Sequence, residues 1–284
     1  MSPLPDLGEP VADARSVAGG SINDAWQVEL ESGRVAFVKS RSDASVADFE
    51  AEAAGLRWLA GADAPVPEVL GVGDTEPWLA LEWIEPGPLG SAGAEQLGSD
   101  LAALHRAGAP AHGALPPGSP DRTLRLGSVG LSLEERAAWH EAYAEDLLLP
   151  LVARARDGGS LTDGDGAAVE SVCDRIAGLA GPAEQPARLH GDLWSGNVLG
   201  GRDGRAWMID PAAYGGHREI DLAMLRLFGA PSDRIFAAYD EAYPLAEEQH
   251  DRVALWQLLP LLVHAVLFGG SYGRAAGDAA RRYA

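Results

Sequence analysis

The chain has 284 residues, of which 46% are hydrophobic and 23% are charged. This composition is sufficient for a hydrophobic core and excludes an intrinsically disordered chain. The 42 acidic and 22 basic residues give a net charge of −20 at pH 7, which disfavours binding to the phosphate backbone of nucleic acids. A chain of this length predicts two lobes or two closely packed domains.

Cysteine content and hydropathy predict a cytoplasmic protein without membrane contact. The only cysteine is Cys173, so no intramolecular disulfide can form. Residues 1–10 lack the basic and apolar segments of a secretory signal. The most apolar stretch, residues 253–270, is interrupted by polar residues and a proline, which favours a buried helix over a membrane span. The sequence leaves the oligomeric state open, and a monomer is assumed.

The first part of the chain is predicted to be mostly sheet with one helix. Alternating apolar residues and turn residues predict an antiparallel meander followed by two shorter strands. The predicted strands are 11–17, 24–30, 34–39, 69–72 and 78–84. Helical spacing of apolar residues predicts a helix over 44–60, between the third and fourth strands.

After residues 85–88 the pattern becomes helical, which predicts a boundary between a lobe at 1–84 and a lobe at 85–284. A Ser132–Glu135 capping box predicts the start of a helix that runs toward 156 with a break at Pro150. The other predicted helices are 94–107, one from 162 or 163 to 179, 219–228, 231–243 and 247–268. Residues 108–130, rich in glycine and proline, are predicted to form an irregular excursion near the lobe junction. The fold class is therefore α+β.

The run His190-Gly-Asp-Leu-Trp-Ser-Gly-Asn197 contains the strongest chemical signal in the sequence. An aspartate, Asp192, precedes an asparagine, Asn197, by five residues, and a further aspartate, Asp210, follows a short apolar strand. Phosphoryl transfer requires a carboxylate that accepts the proton of the attacking hydroxyl and oxygen ligands that hold Mg²⁺ on the nucleotide phosphates. The ordered combination indicates a kinase-like site.

The lysine content supports the same interpretation. Of the 22 basic residues, 21 are arginines and one is a lysine, Lys39, which ends the third predicted strand. A kinase-like protein places its phosphate-binding lysine at this position, and it places the glutamate that orients the lysine on the following helix. Both Glu50 and Glu52 lie on that helix, and their positions alone do not choose between them; the resemblance described next favours Glu52.

Several motifs together resemble the fructosamine kinase (ketosamine 3-kinase) family, which is related to aminoglycoside phosphotransferases and choline kinases. The resemblance covers residues 11 to 273 and rests on Gly19-Gly-Ser-Ile-Asn23, Phe49-Glu-Ala-Glu52-Ala-Ala-Gly55-Leu56, Leu81-Glu-Trp-Ile84, the 190–197 run, Ile209-Asp-Pro-Ala and Gly216-His-Arg-Glu-Ile-Asp-Leu222. It implies a protein-kinase-like fold with a β-rich nucleotide lobe and a larger, mainly helical lobe.

The resemblance also implies roles for residues on the nucleotide side of the site. Asp192 would be the catalytic base, Asn197 and Asp210 the Mg²⁺ ligands, and Lys39 the contact to the α- and β-phosphates of ATP, held by Glu52. The loop residues Gly19, Gly20, Ser21 and Asn23 would close over the phosphates, and the backbone of Glu82 and Ile84 would bind the adenine edge.

On the acceptor side, the resemblance implies that Trp194 forms a stacking wall for the sugar, although core packing is an equally good explanation for that residue. His217, Glu219 and Asp221 would contact the acceptor or brace the catalytic loop. The expected reaction is transfer of the γ-phosphate to O3 of a ketosamine, a fructosamine or ribulosamine, giving a phosphorylated product that decomposes and frees the amine.

Two other functions remain open on the sequence. An aminoglycoside or other amino-alcohol kinase would share the phosphate machinery and would require a strongly acidic acceptor groove. A catalytically silent regulator would share the fold and nucleotide binding but would not turn over any acceptor. The expected partner is in each enzymatic case a small molecule, and the expected cofactors are ATP and Mg²⁺.

Overall fold

A five-stranded antiparallel sheet occupies the amino-terminal lobe in the computed structural model, which describes residues 5–17 and 24–283. The strands are β1 (Val11–Ser16), β2 (Asp24–Leu30), β3 (Val35–Ser40), β4 (Val69–Val72) and β5 (Trp78–Glu82). Their spatial order is β1-β2-β3-β5-β4, so the predicted meander and the two later strands are confirmed.

Helix α1 (Val46–Ala60) packs on this sheet through an apolar face that includes Phe49, Leu56 and Leu59. Its amino terminus is closed by a capping box between Ser45 and an acidic residue three positions later. These contacts fix the helix against the sheet on one side and leave its amino-terminal turns facing the cleft between the lobes.

The carboxy-terminal lobe is mainly helical. Its helices are α2 (Ser91–Ala107), α3 (Trp139–Glu141), α4 (Leu149–Asp157), α5 (Asp163–Leu179), α6 (Glu219–Leu227), α7 (Arg234–Ala242), α8 (Gln249–Trp256), α9 (Leu258–Phe268) and α10 (Tyr272–Arg281). The predicted break at Pro150 is wrong. A π-helical segment, Ala142–Leu148, runs directly into α4, so the backbone stays helical through Pro150, and regular α-helix begins at Leu149, one residue before the proline.

The predicted excursion contains a regular hairpin, formed by β6 (Thr123–Leu126) and β7 (Val129–Ser132). The prediction of a helix opening at Ser132 is wrong, because Ser132 pairs with Thr123 at the open end of this hairpin. The local capping-box pattern is overridden by the strand pairing.

Two small antiparallel sheets carry the 190–210 region. They pair β8 (Ala187–Leu189) with β11 (Tyr214–Gly216), and β9 (Val198–Gly200) with β10 (Ala206–Met208). The loop from 190 to 197 leaves β8 and enters β9, and residue 210 follows β10. Asp192 and Asp210 therefore each follow the end of a strand, in two different small sheets.

One hydrophobic cluster crosses from one lobe to the other. It joins Leu56 and Leu79 of the amino-terminal lobe with Leu97, Met208 and Leu225 of the carboxy-terminal lobe. The boundary at 84/85 stays a prediction, because no break in packing marks it.

The stretch Gln249–Phe268 is the one part of the described chain that is long and apolar enough to cross a membrane. In the structure 61% of its most apolar window is buried, and it is divided into α8 and α9 at Gln257. Such burial is typical of a core helix in a globular protein.

Candidate active site

A cavity of about 760 Å³ lies between the two lobes. It is lined by residues from the sheet, from α1, from the 115–127 region and from the 190–213 region. The sequence-predicted residues that the structure brings to its wall are Lys39, Glu52, Glu82, Ile84, Asp192, Trp194, Asn197 and Asp210. The residues Gly19, Gly20, Ser21 and Asn23 lie outside the described residues.

Lys39 lies at the floor of this cavity between two carboxylates. Its Nζ is 2.7 Å from Oε1 of Glu52 and 2.6 Å from Oδ1 of Asp210, and the side chain is only 4% exposed. Burial alone would lower the pKa of Lys39, but the two carboxylates outweigh it and raise the pKa above its ordinary value. The ammonium group is therefore permanently charged. Of the two glutamates considered, the structure pairs Glu52 with the lysine.

Asp192 is held in the loop that leaves β8. The amide Nδ2 of Asn197 donates to the Asp192 backbone oxygen at 2.8 Å and to its Oδ2 at 3.1 Å. Burial, together with the charges of Asp210 and Asp221, raises the pKa of Asp192 to about 7, against the effect of the Asn197 hydrogen bond. A carboxylate with a pKa near neutrality is suited to accept a proton from a hydroxyl group.

Asp210 adopts a left-handed backbone conformation, with φ of 53°, which is uncommon for residues other than glycine. Such conformations concentrate at functional sites. Lys39 outweighs the opposing effect of burial and lowers the pKa of the Asp210 carboxyl. Its side chain remains 47% exposed to the cavity.

The donor set around the cavity fits a magnesium ion. Both amide hydrogen bonds of Asn197 use its nitrogen, which leaves the amide oxygen as an acceptor, and Asp210 has a second carboxylate oxygen beside the one that contacts Lys39. Magnesium prefers such oxygen ligands and uses few protein side chains when it also binds phosphates.

Asp221 braces the 190–197 loop from behind. It is fully buried, and its two carboxylate oxygens accept hydrogen bonds from the backbone amides of His190 at 2.8 Å and Gly191 at 2.9 Å. His105 on α2 lies 3.1 Å from the same carboxylate. Of the two roles predicted for Asp221, the structure supports bracing, since the residue does not reach the cavity.

Gly191 shows why this loop tolerates no side chain there. Its φ is +84°, and a Cβ atom built on it would lie 1.9 Å from the backbone oxygen of Ala212. The loop is therefore packed directly on the segment that follows Asp210. This contact sets the relative positions of the two aspartates.

His217 and Glu219 do not line either cavity and make no side-chain hydrogen bond to the 190–197 loop, so contact with the acceptor is not supported for them. Glu219 is paired with Arg252 at 2.6 Å and accepts a hydrogen bond from the indole N–H of Trp256 at 2.7 Å. His217 stacks on the same Trp256 ring. Both side chains are 4% exposed, because they form a buried network that joins α6 to α8.

Trp194 is 38% exposed, so core packing does not explain it. Its ring lines the main cavity and also a second cavity of about 170 Å³ on the other side of Asp192. The second cavity is lined by apolar and aromatic residues of the hairpin, α6 and α9. Among its described lining residues Asp192 is the only carboxylate.

The end of β5 and the residues after it line the part of the main cavity where the resemblance places adenine. The backbone amide of Glu82 donates to the carbonyl oxygen of Glu68 at 2.8 Å. Of the Glu82 backbone, only the carbonyl group is therefore left for a ligand in this arrangement. Ile84 lines the cavity two residues later.

Three residues near the site, His105, Arg125 and His264, carry no signal in the local sequence. His105 sits on the apolar face of a helix, where a core histidine is the ordinary interpretation. The other two lie on the hairpin and on α9, far from the recognised motifs. No local pattern links these residues to the site, because tertiary packing alone brings them there.

The two lobes, the interlobe cleft and the Lys39–Glu52–Asp210 contacts define a phosphotransferase of protein-kinase-like fold. A choline kinase structure from Streptococcus pneumoniae has the same fold, with a TM-score of 0.62 at 15% identity over 96% of this chain and 92% of that one. At this level of identity the likeness concerns the fold alone.

The family is shown by closer relatives. A family model described as fructosamine kinase matches residues 6–283. A probable ketoamine kinase of Thermus thermophilus is 38% identical over 276 residues, which is 96% of each chain. A crystal structure from Thermobifida fusca, provisionally named a fructosamine-3-kinase, is 45% identical with a TM-score of 0.88 and covers 97% of this chain and 94% of that one. The chain belongs to the fructosamine kinase family and is an ATP-dependent kinase.

Proposed function

We propose that the protein transfers the γ-phosphate of ATP, with Mg²⁺, to the O3 hydroxyl of a ketosamine, a fructosamine or ribulosamine. The observation that carries this proposal is the position of Asp192, which lies on the wall of the main cavity with Lys39 and also faces the smaller cavity. The main cavity has room for the nucleotide, and the smaller one for part of the acceptor. The family relatives named as ketoamine and fructosamine kinases support the acceptor class.

In the proposed reaction the acceptor oxygen bonds to the γ-phosphorus, the bond from that phosphorus to the bridging oxygen of ADP breaks, and the hydroxyl proton moves to Asp192. Asn197 orients the Asp192 carboxylate through its hydrogen bond to Oδ2. Lys39 places a fixed positive charge beside the phosphates, and Glu52 holds it there. Asn197 and Asp210 would hold Mg²⁺, which when bound neutralises charge on the phosphates.

The lining of the smaller cavity favours a ketosamine over an aminoglycoside. An aminoglycoside carries several ammonium groups and requires several acceptor carboxylates. The described lining of the smaller cavity supplies apolar and aromatic surface with Asp192 as its one carboxylate. This surface suits a sugar with a single amine substituent.

An ADP-release assay with Mg²⁺-ATP tests the proposal on fructosyl-lysine, ribulosyl-lysine, an aminoglycoside and choline, with Lys39→Ala as the blank. We expect turnover on the two ketosamines alone, and phosphorus and carbon NMR of the product should place the phosphate on O3. Turnover on the aminoglycoside alone would show that the acceptor is an aminoglycoside and not a ketosamine. ATP binding without turnover on any acceptor would favour a nucleotide-binding regulator.

Replacement of the proposed base separates chemistry from binding. Asp192→Asn keeps the size of the side chain and removes its ability to accept the proton, so we expect kcat to fall by about 10³-fold or more. Nucleotide affinity, measured by titration with a fluorescent ADP analogue, should stay within about threefold of the parent. Full activity in this variant would show that Asp192 is not the base.

A further inference from the structure

The β6–β7 hairpin lies at the junction of the two cavities. Its residues Leu124 and Arg125 line the main cavity, Leu126 lines the smaller one, and Gly127 lines both. The tip packs on α9, where a Cβ on Gly127 would lie 3.2 Å from Leu267. The hairpin therefore belongs to the acceptor side of the cleft, although it also reaches the amino-terminal lobe.

Arg125 connects the hairpin to the amino-terminal lobe. Its Nη1 and Nη2 atoms donate to Asp121 at 3.0 and 2.7 Å, and Nη1 also donates to the carbonyl oxygen of Thr123 at 2.9 Å. These bonds fix the guanidinium group on its own hairpin. The remaining Nε atom donates to Oδ1 of Asp48 on α1 at 2.8 Å. The Arg125 side chain is 16% exposed, so this ion pair is shielded from solvent better than an ordinary surface pair.

Asp48 connects this contact to the phosphate site. It lies in the first turn of α1, four residues before Glu52, so the two carboxylates lie on the same helix face one turn apart. Both residues line the main cavity. A shift of the amino-terminal end of α1 would therefore move Glu52 relative to Lys39.

The other end of α1 is held separately. The guanidinium of Arg188, on β8, donates to the backbone oxygen of Trp58 at 2.6 Å and lies over the Trp58 ring. The beginning of the helix is held by its packing on the sheet, by a longer ion pair of Asp48 with Arg41 at 3.8 Å, and by Arg125. Among the described residues, Arg125 is the carboxy-terminal-lobe side chain that forms an ion pair there.

We propose that Arg125 is a positioning residue for phosphoryl transfer: its ion pair with Asp48 holds α1 so that Glu52 orients Lys39, and it links this arrangement to the hairpin that walls the acceptor cavity. The coupling of the acceptor wall to nucleotide binding rests on the proposed function. The positioning of Lys39 rests on the contacts of the hairpin and α1 alone.

The single lysine of the chain provides a direct readout. Biosynthetic labelling with ¹³C-lysine gives one set of lysine signals, which reports the surroundings of Lys39 without any acceptor. We would compare Arg125→Gln with Arg122→Gln. Arg122 lies on the same hairpin, bonds only within the 122–135 segment and is half exposed, so it is a matched control. Thermal unfolding of both variants checks that each is folded.

We expect Arg125→Gln to shift the Lys39 signals, to weaken binding of a fluorescent ADP analogue about fivefold, and to lower kcat more than it raises the KM of the ketosamine. Arg122→Gln should match the parent protein in its Lys39 signals, in its nucleotide affinity and in its kinetic constants. Arg125→Lys, tested for activity and nucleotide binding only, should recover part of the loss, because a lysine can pair with Asp48 but not also with Asp121 and Thr123.

A second variant, Asp48→Asn, keeps the proposal testable if Arg125→Gln does not fold. Asp48→Asn removes the charge from the other partner, while its amide oxygen can still accept the hydrogen bond from the Ser45 amide that caps α1. It should produce the same shift of the Lys39 signals. Lys39 signals and nucleotide affinity that match Arg122→Gln in both variants would overturn the proposal. Because neither readout requires an acceptor, this failure is distinct from an absence of ketosamine turnover.

Discussion

At the scale of single residues, the site depends on carboxylates whose roles are set by their hydrogen-bond partners. Asp221, Asp210 and Asp192 lie within one region, yet the first accepts backbone amides, the second pairs with a lysine and the third is held by an asparagine amide. The pKa of the Asp221 and Asp210 carboxyls is lowered, and the pKa of Asp192 is raised. When the pKa values of neighbouring carboxyls differ in this way, one site can provide both fixed negative charges and a proton acceptor.

Replacement of Asp221 by asparagine should destabilise the protein and slow the reaction together. The amide group of Asn has one acceptor oxygen, so its NH₂ would face a backbone N–H of the catalytic loop, either His190 or Gly191. We expect the free energy of unfolding to fall by about 3 kcal/mol, measured by urea denaturation. Asp278→Asn, at an exposed helix position, is the control. An unchanged unfolding midpoint in Asp221→Asn would contradict the bracing role.

His217 should make the protein less stable in mild acid. Burial lowers the pKa of His217 from 6.5 to about 4, against the opposing effects of Glu219 and Glu184. Between these values the unfolded chain binds a proton that the folded protein does not, so stability is full above pH 6.5 and falls as the pH drops toward 4. This residue contributes a slope of at most about 1.4 kcal/mol per pH unit.

The pH dependence can be measured by urea denaturation at several pH values. His217→Gln should reduce the slope between pH 6.5 and 4, even though it also removes the stacking on Trp256. The control is His250→Gln, at an exposed position of α8. A slope equal to that of the parent in His217→Gln would show that another group causes the acid sensitivity.

At the scale of elements, helix α1 is where prediction from sequence succeeded furthest. The strand before it and the helix itself follow from local patterns, since strand alternation and helical spacing are properties of neighbouring residues. The choice of Glu52 over Glu50 came instead from the resemblance to the fructosamine kinase family. The contact of Glu52 with Lys39 then needs only that the helix packs on the sheet. The hairpin at 123–132 was not predicted, because its strands are four residues long and Ser132 sits in a capping-box pattern.

Two glycines in helices should respond in opposite ways when a side chain is added to them. Nothing lies within 4 Å of a Cβ built on Gly178 in α5, so Gly178→Ala should raise the free energy of unfolding by about 0.5–1 kcal/mol through helix propensity. A Cβ on Gly55 in α1 would lie 3.3 Å from the Cβ of Ala213. Gly55→Leu should therefore destabilise the protein by about 1–3 kcal/mol.

Urea denaturation measures both changes, and activity provides a second test. Because Ala213 follows the Asp210 loop, a larger residue at 55 should push α1 away from that loop and lower kcat, whereas Gly178→Ala should retain the parent kcat. Equal effects of the two substitutions on stability would show that α1 does not pack closely against this segment.

At the scale of the whole molecule, the lobes were predictable from the change in sequence pattern, but their mutual packing was not. The cluster that joins Leu56 and Leu79 to Leu97, Met208 and Leu225 forms only when distant segments meet. Because tertiary packing could not be predicted, the acceptor contact expected for His217 and Glu219 was not supported either. Their position in the motif suggested the acceptor site, while Arg252 and Trp256, which bury them, come from a later helix.

This shared cluster predicts that the two lobes unfold as one cooperative unit. Urea denaturation followed by tryptophan fluorescence and by far-ultraviolet circular dichroism should give coincident transitions. Calorimetry should give a single peak whose calorimetric and van't Hoff enthalpies agree. Two separated transitions would instead support a boundary at 84/85 between independently folding units.

The burial of Lys39 has a consequence for the protein's own chemical durability. Reducing sugars condense with neutral amines to form Schiff bases, and a protonated amine does not attack a carbonyl carbon. Lys39 is the only side-chain amine of the chain, lies 4% exposed and is kept protonated by two carboxylates. An enzyme proposed to act on sugar–amine adducts therefore offers no accessible lysine on which such an adduct could form.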